Sequence, residues 1–307
     1  MIISKSPVFI GGEGRSGTTL LSVILNSHPD IAFGPELHFR GPKNLSQYIL
    51  DGLECIANRE IDEVFMTEVR GQEIHQAINF IKRCHRFGIV PDVLKTIVTR
   101  CQKDMKDGVA FDERCILINE LGNHVRAVEG KQRWGIKIMR DLVLMDQYVG
   151  NWPNCFFIHI IRDGRDVAAS QLVDHQGWGY SDIEQAANQW KTFILNVRNK
   201  SDSKRYIEVR YEDLVLDTEN CLKSLFSVID LAWDDDVMKY YEKPHSLLKN
   251  SYDHPSAKGV SQPMRTNAIG RYKDDLNLAL IHEYDHIAGD VLSDLGYEVE
   301  KIGKSFD

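Results

Sequence analysis

Apolar residues along this chain of 307 residues occur in two alternating patterns. Short apolar-rich runs, Val8-Phe9-Ile10 first among them, recur around 31–33, 134–138, 155–161 and 206–210, each with the length and the β-branched or aromatic content of a buried strand. Between them, apolar positions return at helical spacing. Ile183, Ala186, Ala187, Trp190, Phe193, Ile194 and Val197 form one stripe, with Ser181 or Asp182 as its cap, and Leu222, Leu225, Phe226 and Ile229 form a second behind Asp217. Leu280, Ile281, Tyr284, Ile287, Ala288, Val291, Leu292 and Leu295 form a third, closed by Gly296. Buried strands alternating with amphipathic helices predict a three-layer α/β fold around a central, mainly parallel sheet.

Two stretches break the alternation. Residues 38–130 have helical spacing, more charge and no clear strand, and are expected to form a helical insertion or lid within one domain spanning 1–307. Residues 243–270 contain Pro244, Pro255, Gly259, Pro263 and Gly270 and read as a long polar loop, a kind of segment that often carries function inside a compact fold.

Composition narrows the classes. Asp and Glu number 45 against 37 Lys and Arg, a formal charge of -8, which argues against general affinity for nucleic acid or anionic membrane while leaving room for local basic pockets. The six cysteines, at 55, 84, 101, 115, 155 and 221, form no C-x-x-C pair, so free thiols are expected rather than a zinc knuckle or a disulfide framework. His282 and His286 have helical spacing and are expected on a helix surface or in helix packing rather than on a metal. The polar stretch ahead of Pro7 is too short for a signal peptide, and no apolar run approaches the roughly 18 to 20 residues of a membrane span, so the expected location is cytoplasmic.

Chemistry begins at Gly12-Glu13-Gly14-Arg15-Ser16-Gly17-Thr18-Thr19, between the first apolar run and a helix-forming run through Leu25. Strand, loop and helix in this order make a phosphate cradle from backbone N–H groups and a helix N-terminus. In the common loop, G-x-x-x-x-G-K-S/T, the lysine reaches the β and γ phosphates, and here Thr18 stands in its place. The cradle is kept and the γ-phosphate reader is lost. The expected ligand is therefore a nucleotide with a shorter anionic chain than ATP, with Arg15 supplying charge from elsewhere in the loop.

Two further basic segments sharpen this. Arg162-Asp163-Gly164-Arg165-Asp166 follows the run 155–161 and opens a helix containing Ser170, and Gly270-Arg271-Tyr272-Lys273 closes the polar loop. An arginine at a strand's carboxyl end and a serine two helical turns on can converge on one phosphate. Either segment alone would read as a salt bridge or a solvated basic patch. With the loop, they predict a ligand bearing phosphate at two ends.

In these three motifs and their order, the chain resembles the sulfotransferases that use 3'-phosphoadenosine 5'-phosphosulfate (PAPS) and release 3'-phosphoadenosine 5'-phosphate (PAP). The resemblance implies a P-loop NTPase-like fold. It implies that Gly14, Arg15, Ser16, Gly17, Thr18 and Thr19 hold the 5'-phosphosulfate, that Arg162 and Ser170 hold the 3'-phosphate, and that Arg271 and Tyr272 are the carboxyl-terminal element of the same site. The chain is most similar to the tyrosylprotein sulfotransferases, whose loop is followed by the same His28-Pro29 and a glutamate like Glu36. That likeness implies Glu36 as catalytic base, Lys137 as catalytic lysine and Tyr211 as an adenine contact. Phe33 and Ile136 stand where that membrane-anchored subgroup has a cysteine pair, and acceptor identity does not carry over. His38 competes as base, because other sulfotransferase branches use histidine.

The activity so implied is in-line transfer of a sulfuryl group to the hydroxyl of a sugar, lipid, small molecule or peptide tyrosine. No metal is required, since the donor has no polyphosphate chain for magnesium to bridge. No nucleic acid partner is expected, and a homodimer is left open. Lys82-Arg83-Cys84-His85-Arg86 reads as a solvated helix face, with a basic acceptor cleft as the alternative. Competing functions are a P-loop small-molecule kinase, which the missing lysine opposes, and a non-catalytic nucleotide-binding protein, which Arg15, Glu36 and Lys137 oppose.

Overall fold

The computed structural model describes residues 6–37, 45–57, 63–72, 74–104, 110–172, 179–200, 205–243 and 257–299. Its elements run β1 (Val8–Gly11), α1 (Thr18–Ser27), β2 (Ile31–Glu36), α2 (Leu45–Ile56), α3 (Glu63–Glu68), α4 (Ile74–Arg86), α5 (Pro91–Asp104), α6 (Ala110–Val128) and β3 (Arg133–Met139). After a 3-10 turn at Arg140–Leu144 come α7 (Met145–Asn151), β4 (Phe156–Ile161), α8 (Gly164–Leu172), α9 (Ile183–Lys200), β5 (Tyr206–Arg210), α10 (Tyr211–Leu216) and α11 (Thr218–Val228). A 3-10 segment at Asp235–Glu242 leads to α12 (Ala257–Val260), α13 (Tyr272–Asp275) and α14 (Leu278–Asp294).

The strands form one sheet in the order β2-β3-β1-β4-β5, parallel at every ladder. Alternation along the strands divides the core. Phe9 and Phe157 face α4, α5, α6 and α7, while Val8, Ile10, Ile158 and Ile160 face α1, α10 and α11. A third cluster joins α8, α9 and α14 through Trp190, Tyr284 and Leu292. The stripe expected for α9 is buried in full, and Asp182 is its cap, with Oδ1 accepting from the Gln185 N–H at 2.7 Å. Phe9 sits among aromatic rings, its centroid 4.9 Å from Tyr148 and 5.7 Å from Phe157. Such pairs contribute about 0.5–1.5 kcal/mol each beyond area burial.

Of the helices between residues 45 and 128, α4 and α6 pack directly on the sheet, and α2 and α5 pack on them. α6 lies against β2 and β3, and a Cβ at Gly122 would come within 2.3 Å of the Trp134 ring, so glycine there sets how closely helix and sheet approach. Among the described residues, no helix is long and apolar enough to cross a membrane. All six cysteines are free thiols, and burial pushes the Cys84 thiol well above its ordinary range.

The edge strand β2 differs from the sequence expectation. Gly34 and Pro35 suggested an end near residue 33, yet pairing resumes beyond a register shift, with Glu36 opposite Lys137, and the Leu37 N–H donates to the Lys137 carbonyl at 3.4 Å. Proline is tolerated at a bulge on an edge strand because it owes the ladder no donor there.

Candidate active site

The phosphate loop turns between β1 and α1. Arg15 (φ 70°) and Gly17 (φ 100°) both occupy left-handed backbone. Glycine accepts this freely, whereas a side-chain-bearing residue pays about 1–3 kcal/mol, a cost seen mostly at functional sites. A Cβ at Gly17 would stand 2.6 Å from the Tyr211 ring, so Tyr211, opening α10, closes directly over the loop.

Glu13, to which no role was assigned from its position in the loop, braces that loop from behind. Its buried carboxylate accepts from the Gly14 N–H (3.0 Å) and the Tyr180 hydroxyl (3.1 Å), and pairs with Arg140 at 2.9 Å. The two threonines diverge. Thr18 donates to the Met139 sulfur at 3.4 Å, while the Thr19 hydroxyl accepts from Lys137 Nζ at 3.0 Å. Lys137 of β3 thus brings a positive charge against the loop at Thr19. Register shifts fall on both sides of it, between Ile10 and Gly11 on β1 and between Phe33 and Glu36 on β2. Bulges of this kind re-aim side chains beside active sites.

The second basic segment meets the loop. Arg162, just past β4, donates from Nη1 to the Arg15 carbonyl at 3.0 Å and from Nη2 to the Ala268 carbonyl, pairs with Asp166 at 3.4 Å, and lies over the Tyr211 ring at 4.8 Å. Arg15 Nε donates to the Ser170 hydroxyl at 2.9 Å, and the Gln171 amide donates to the Gly14 carbonyl at 3.1 Å. The third segment arrives through Asp166, whose two oxygens accept from the Gly270 and Tyr272 N–H groups.

These contacts enclose a cavity of about 510 Å³ lined by Arg15, Thr18, Arg162, Ser170, Tyr211 and Arg271, with Tyr240, Val260 and Met264 on its apolar wall. Its size is that of a small-molecule site. Gly17 and Thr19 also face it. Tyr272 does not: its ring is buried under the Arg165 guanidinium at 4.3 Å, and only its backbone touches the site's framework. Ser16 is buried in the loop with its hydroxyl unbonded, and Gly14 contributes backbone.

Glu36 and Lys137 are register partners on neighbouring strands. Burial pulls the Lys137 ammonium down from 10.5 to about 8; Glu36 opposes the shift, and Arg83 and Arg86 of α4 add to it. Arg83 is itself lowered, by burial first and by Arg86, with Glu36 pulling the other way. A solvated face was expected for 82–86; it is corrected for Cys84, which is fully buried, and in part for the half-buried Arg83, while His85 is exposed. The cause lies on β2, where a Cβ at Gly34 would stand 2.6 Å from the Phe87 ring, so the end of α4 is seated beside Glu36. His38, the competing base, lies outside the described residues.

The model of a sulfotransferase family matches residues 7–235. This chain belongs to that family. A protein-tyrosine sulfotransferase A from Caenorhabditis elegans is 22% identical over 95% of this chain and 67% of its own length. The chain spans about half, 51%, of a Drosophila melanogaster relative. Among solved structures, the sulfotransferase domain of the Synechococcus PCC 7002 olefin synthase is 19% identical, with a TM-score of 0.61 over 97% of this chain and 98% of that one. Mouse sulfotransferase SULT7A1, solved in complex with PAP, is 12% identical, with a TM-score of 0.51 over 95% and 86%. The sulfotransferase fold therefore extends over nearly all of this chain.

Proposed function

We propose that this sulfotransferase moves a sulfuryl group from PAPS to an acceptor hydroxyl by in-line displacement. The observation that carries this reading is the convergence of three sequence-distant anion segments on one cavity, with Lys137 bonded to the loop at Thr19. The PAP complex of the mouse structure supports the donor class. The acceptor oxygen bonds to sulfur as the bond from sulfur to the 5'-phosphate oxygen breaks, PAP leaves, and the acceptor's proton passes to the Glu36 carboxylate. Arg15 and Lys137 oppose the negative charge that grows on the sulfonate and bridging oxygens. Arg162, Ser170 and Arg271 hold the 3'-phosphate, and Tyr211 packs on the adenosine.

The acceptor approaches from the Glu36 side, where Arg83 and Arg86 add positive charge. That balance favours an acceptor with a carboxylate, phosphate or sulfate near its hydroxyl. Peptide tyrosine in an acidic context has the further support of the curated relatives' name.

The test is transfer of radiolabelled sulfate from PAPS, in EDTA, to a panel of tyrosine peptides with and without acidic flanks, anionic sugars, lipid headgroups and neutral alcohols. Glu36→Gln and Lys137→Met should each lower kcat by about a hundredfold or more. Phosphoryl transfer from ATP that EDTA abolishes would overturn the reading. Activity that survives Glu36→Gln and vanishes in His38→Ala would move the base to His38.

A further inference from the structure

The wall of the donor cavity formed by Gln262, Met264, Asn267, Ala268 and Arg271 belongs to one segment following α12. It is tied down at both ends. Near its start the Tyr240 hydroxyl donates to the Gln262 carbonyl at 3.0 Å. Near its end a single carboxylate does the work. Asp166, fully buried on α8, accepts from the Gly270 N–H at 2.9 Å with one oxygen and from the Tyr272 N–H at 3.0 Å with the other. These are the two neighbours of Arg271. The oxygen that holds Gly270 also lies 3.4 Å from Arg162, which reaches the Ala268 carbonyl of the same segment and the Arg15 carbonyl of the phosphate loop.

We propose that Asp166 is a positioning residue for the donor: it holds the turn on either side of Arg271 in register with Arg162, so that two guanidiniums from distant segments face one phosphate. The proposal rests on the donor reading above. Asp166 does not line the cavity, and its charge argues against a direct role. A carboxylate beside a phosphate-binding arginine opposes an incoming anion by Coulomb's law, so if Asp166 acted only as a nearby charge, neutralising it would tighten binding. If it acts by geometry, neutralising it loosens binding. An amide of the same shape accepts with one atom only, and its NH₂ would face an N–H or a guanidinium.

The measurement is calorimetric PAP binding, with steady-state kinetics on PAPS, for the wild type, Asp166→Asn, Arg271→Ala and the double variant. Asp166→Asn is expected to weaken PAP binding about tenfold, the loss that follows removal of one charged hydrogen-bond acceptor. KM for PAPS should rise in parallel while kcat at saturating donor changes little. In the Arg271→Ala background the same substitution should cost less than about twofold, because residues acting through one another are not additive. Gly270→Ala disturbs the turn independently: its φ of 73° is left-handed and no atom stands within 4 Å of an added Cβ, so backbone strain alone should weaken PAP binding several-fold. Unchanged or tighter binding in Asp166→Asn, or full multiplication of losses in the double variant, overturns the proposal. Absence of PAP binding in the wild type overturns the donor reading itself.

Discussion

Lys137 is held in a low-dielectric setting with its charge in demand, and pH separates the two consequences. Burial lowers its pKa to about 8, with Glu36 partly restoring it and Arg83 and Arg86 lowering it further. Between about 8 and the unfolded value of 10.5, the folded protein binds fewer protons at this group than the unfolded chain does. Rising pH in that window therefore adds stability from Lys137. Catalysis moves the other way, because the ammonium is what opposes developing charge on the donor. We expect kcat/KM to fall as pH rises through about 8, with no parallel fall in melting temperature from this group. Lys137→Arg, whose guanidinium stays protonated above about 12, should move that limb out of range while keeping part of the activity. A limb that stays in place would mean another group titrates. At this scale the sequence disclosed Arg15, Thr18, Arg162 and Ser170, because their chemistry is written into short segments of fixed spacing. Glu13 was not legible, because it matters through Arg140 and Tyr180, which are not local in sequence, and the basic run holding Arg83 was legible only as one of two readings, because helix packing decides between them.

Elements were legible where one pattern dominated. The α9 stripe and the runs that became β1, β3 and β4 declared themselves because each is buried, whereas the run at 206–210, expected as a buried strand, became the edge strand β5, in which only Val209 is buried. The outer strand β2 did not, since Gly34 and Pro35 carry the composition of a turn, and only the ladder to β3 shows that the strand continues past them. Gly34 also seats α4. An alanine there would force its Cβ to 2.6 Å from Phe87, below any ordinary contact, and the ring belongs to the segment that places Arg83 and Arg86 beside Glu36. Gly34→Ala should lower stability by about 1–3 kcal/mol through overpacking and lower kcat at the same time. Phe87→Ala alone leaves a cavity, yet in the Gly34→Ala background it removes the clash. The double variant should therefore be more stable than the sum of the single losses, by thermal melts and kcat on the same preparations. Strictly additive losses would show that Gly34 and α4 are uncoupled.

Across the whole molecule, the donor cavity joins parts of the chain that no single hydrophobic cluster unites. Its floor comes from the loop that follows β1 and from the start of α1, one wall from Arg162 and α8, and another from the segment between α12 and α13. α8 and α14 share a cluster, and Arg165 carries the connection further by pairing with Asp163 at 2.8 Å and Asp285 at 3.3 Å. A ligand bridging these walls must bind the folded chain and ignore the unfolded one, since the unfolded chain keeps none of this convergence. Saturation at a hundred times Kd then adds about 2.7 kcal/mol to unfolding. For a chain of this size that is a rise of several degrees in melting temperature. PAP, with phosphate at both ends, should produce that rise, and Arg162→Ala should remove most of it. ATP with magnesium carries no 3'-phosphate for Arg162 and Arg271, and its γ-phosphate meets Thr18 where a lysine would be needed, so its shift should be smaller at equal concentration. Equal shifts for the two nucleotides, or a PAP shift that survives Arg162→Ala, would mean that the walls of the cavity do not read the 3' end.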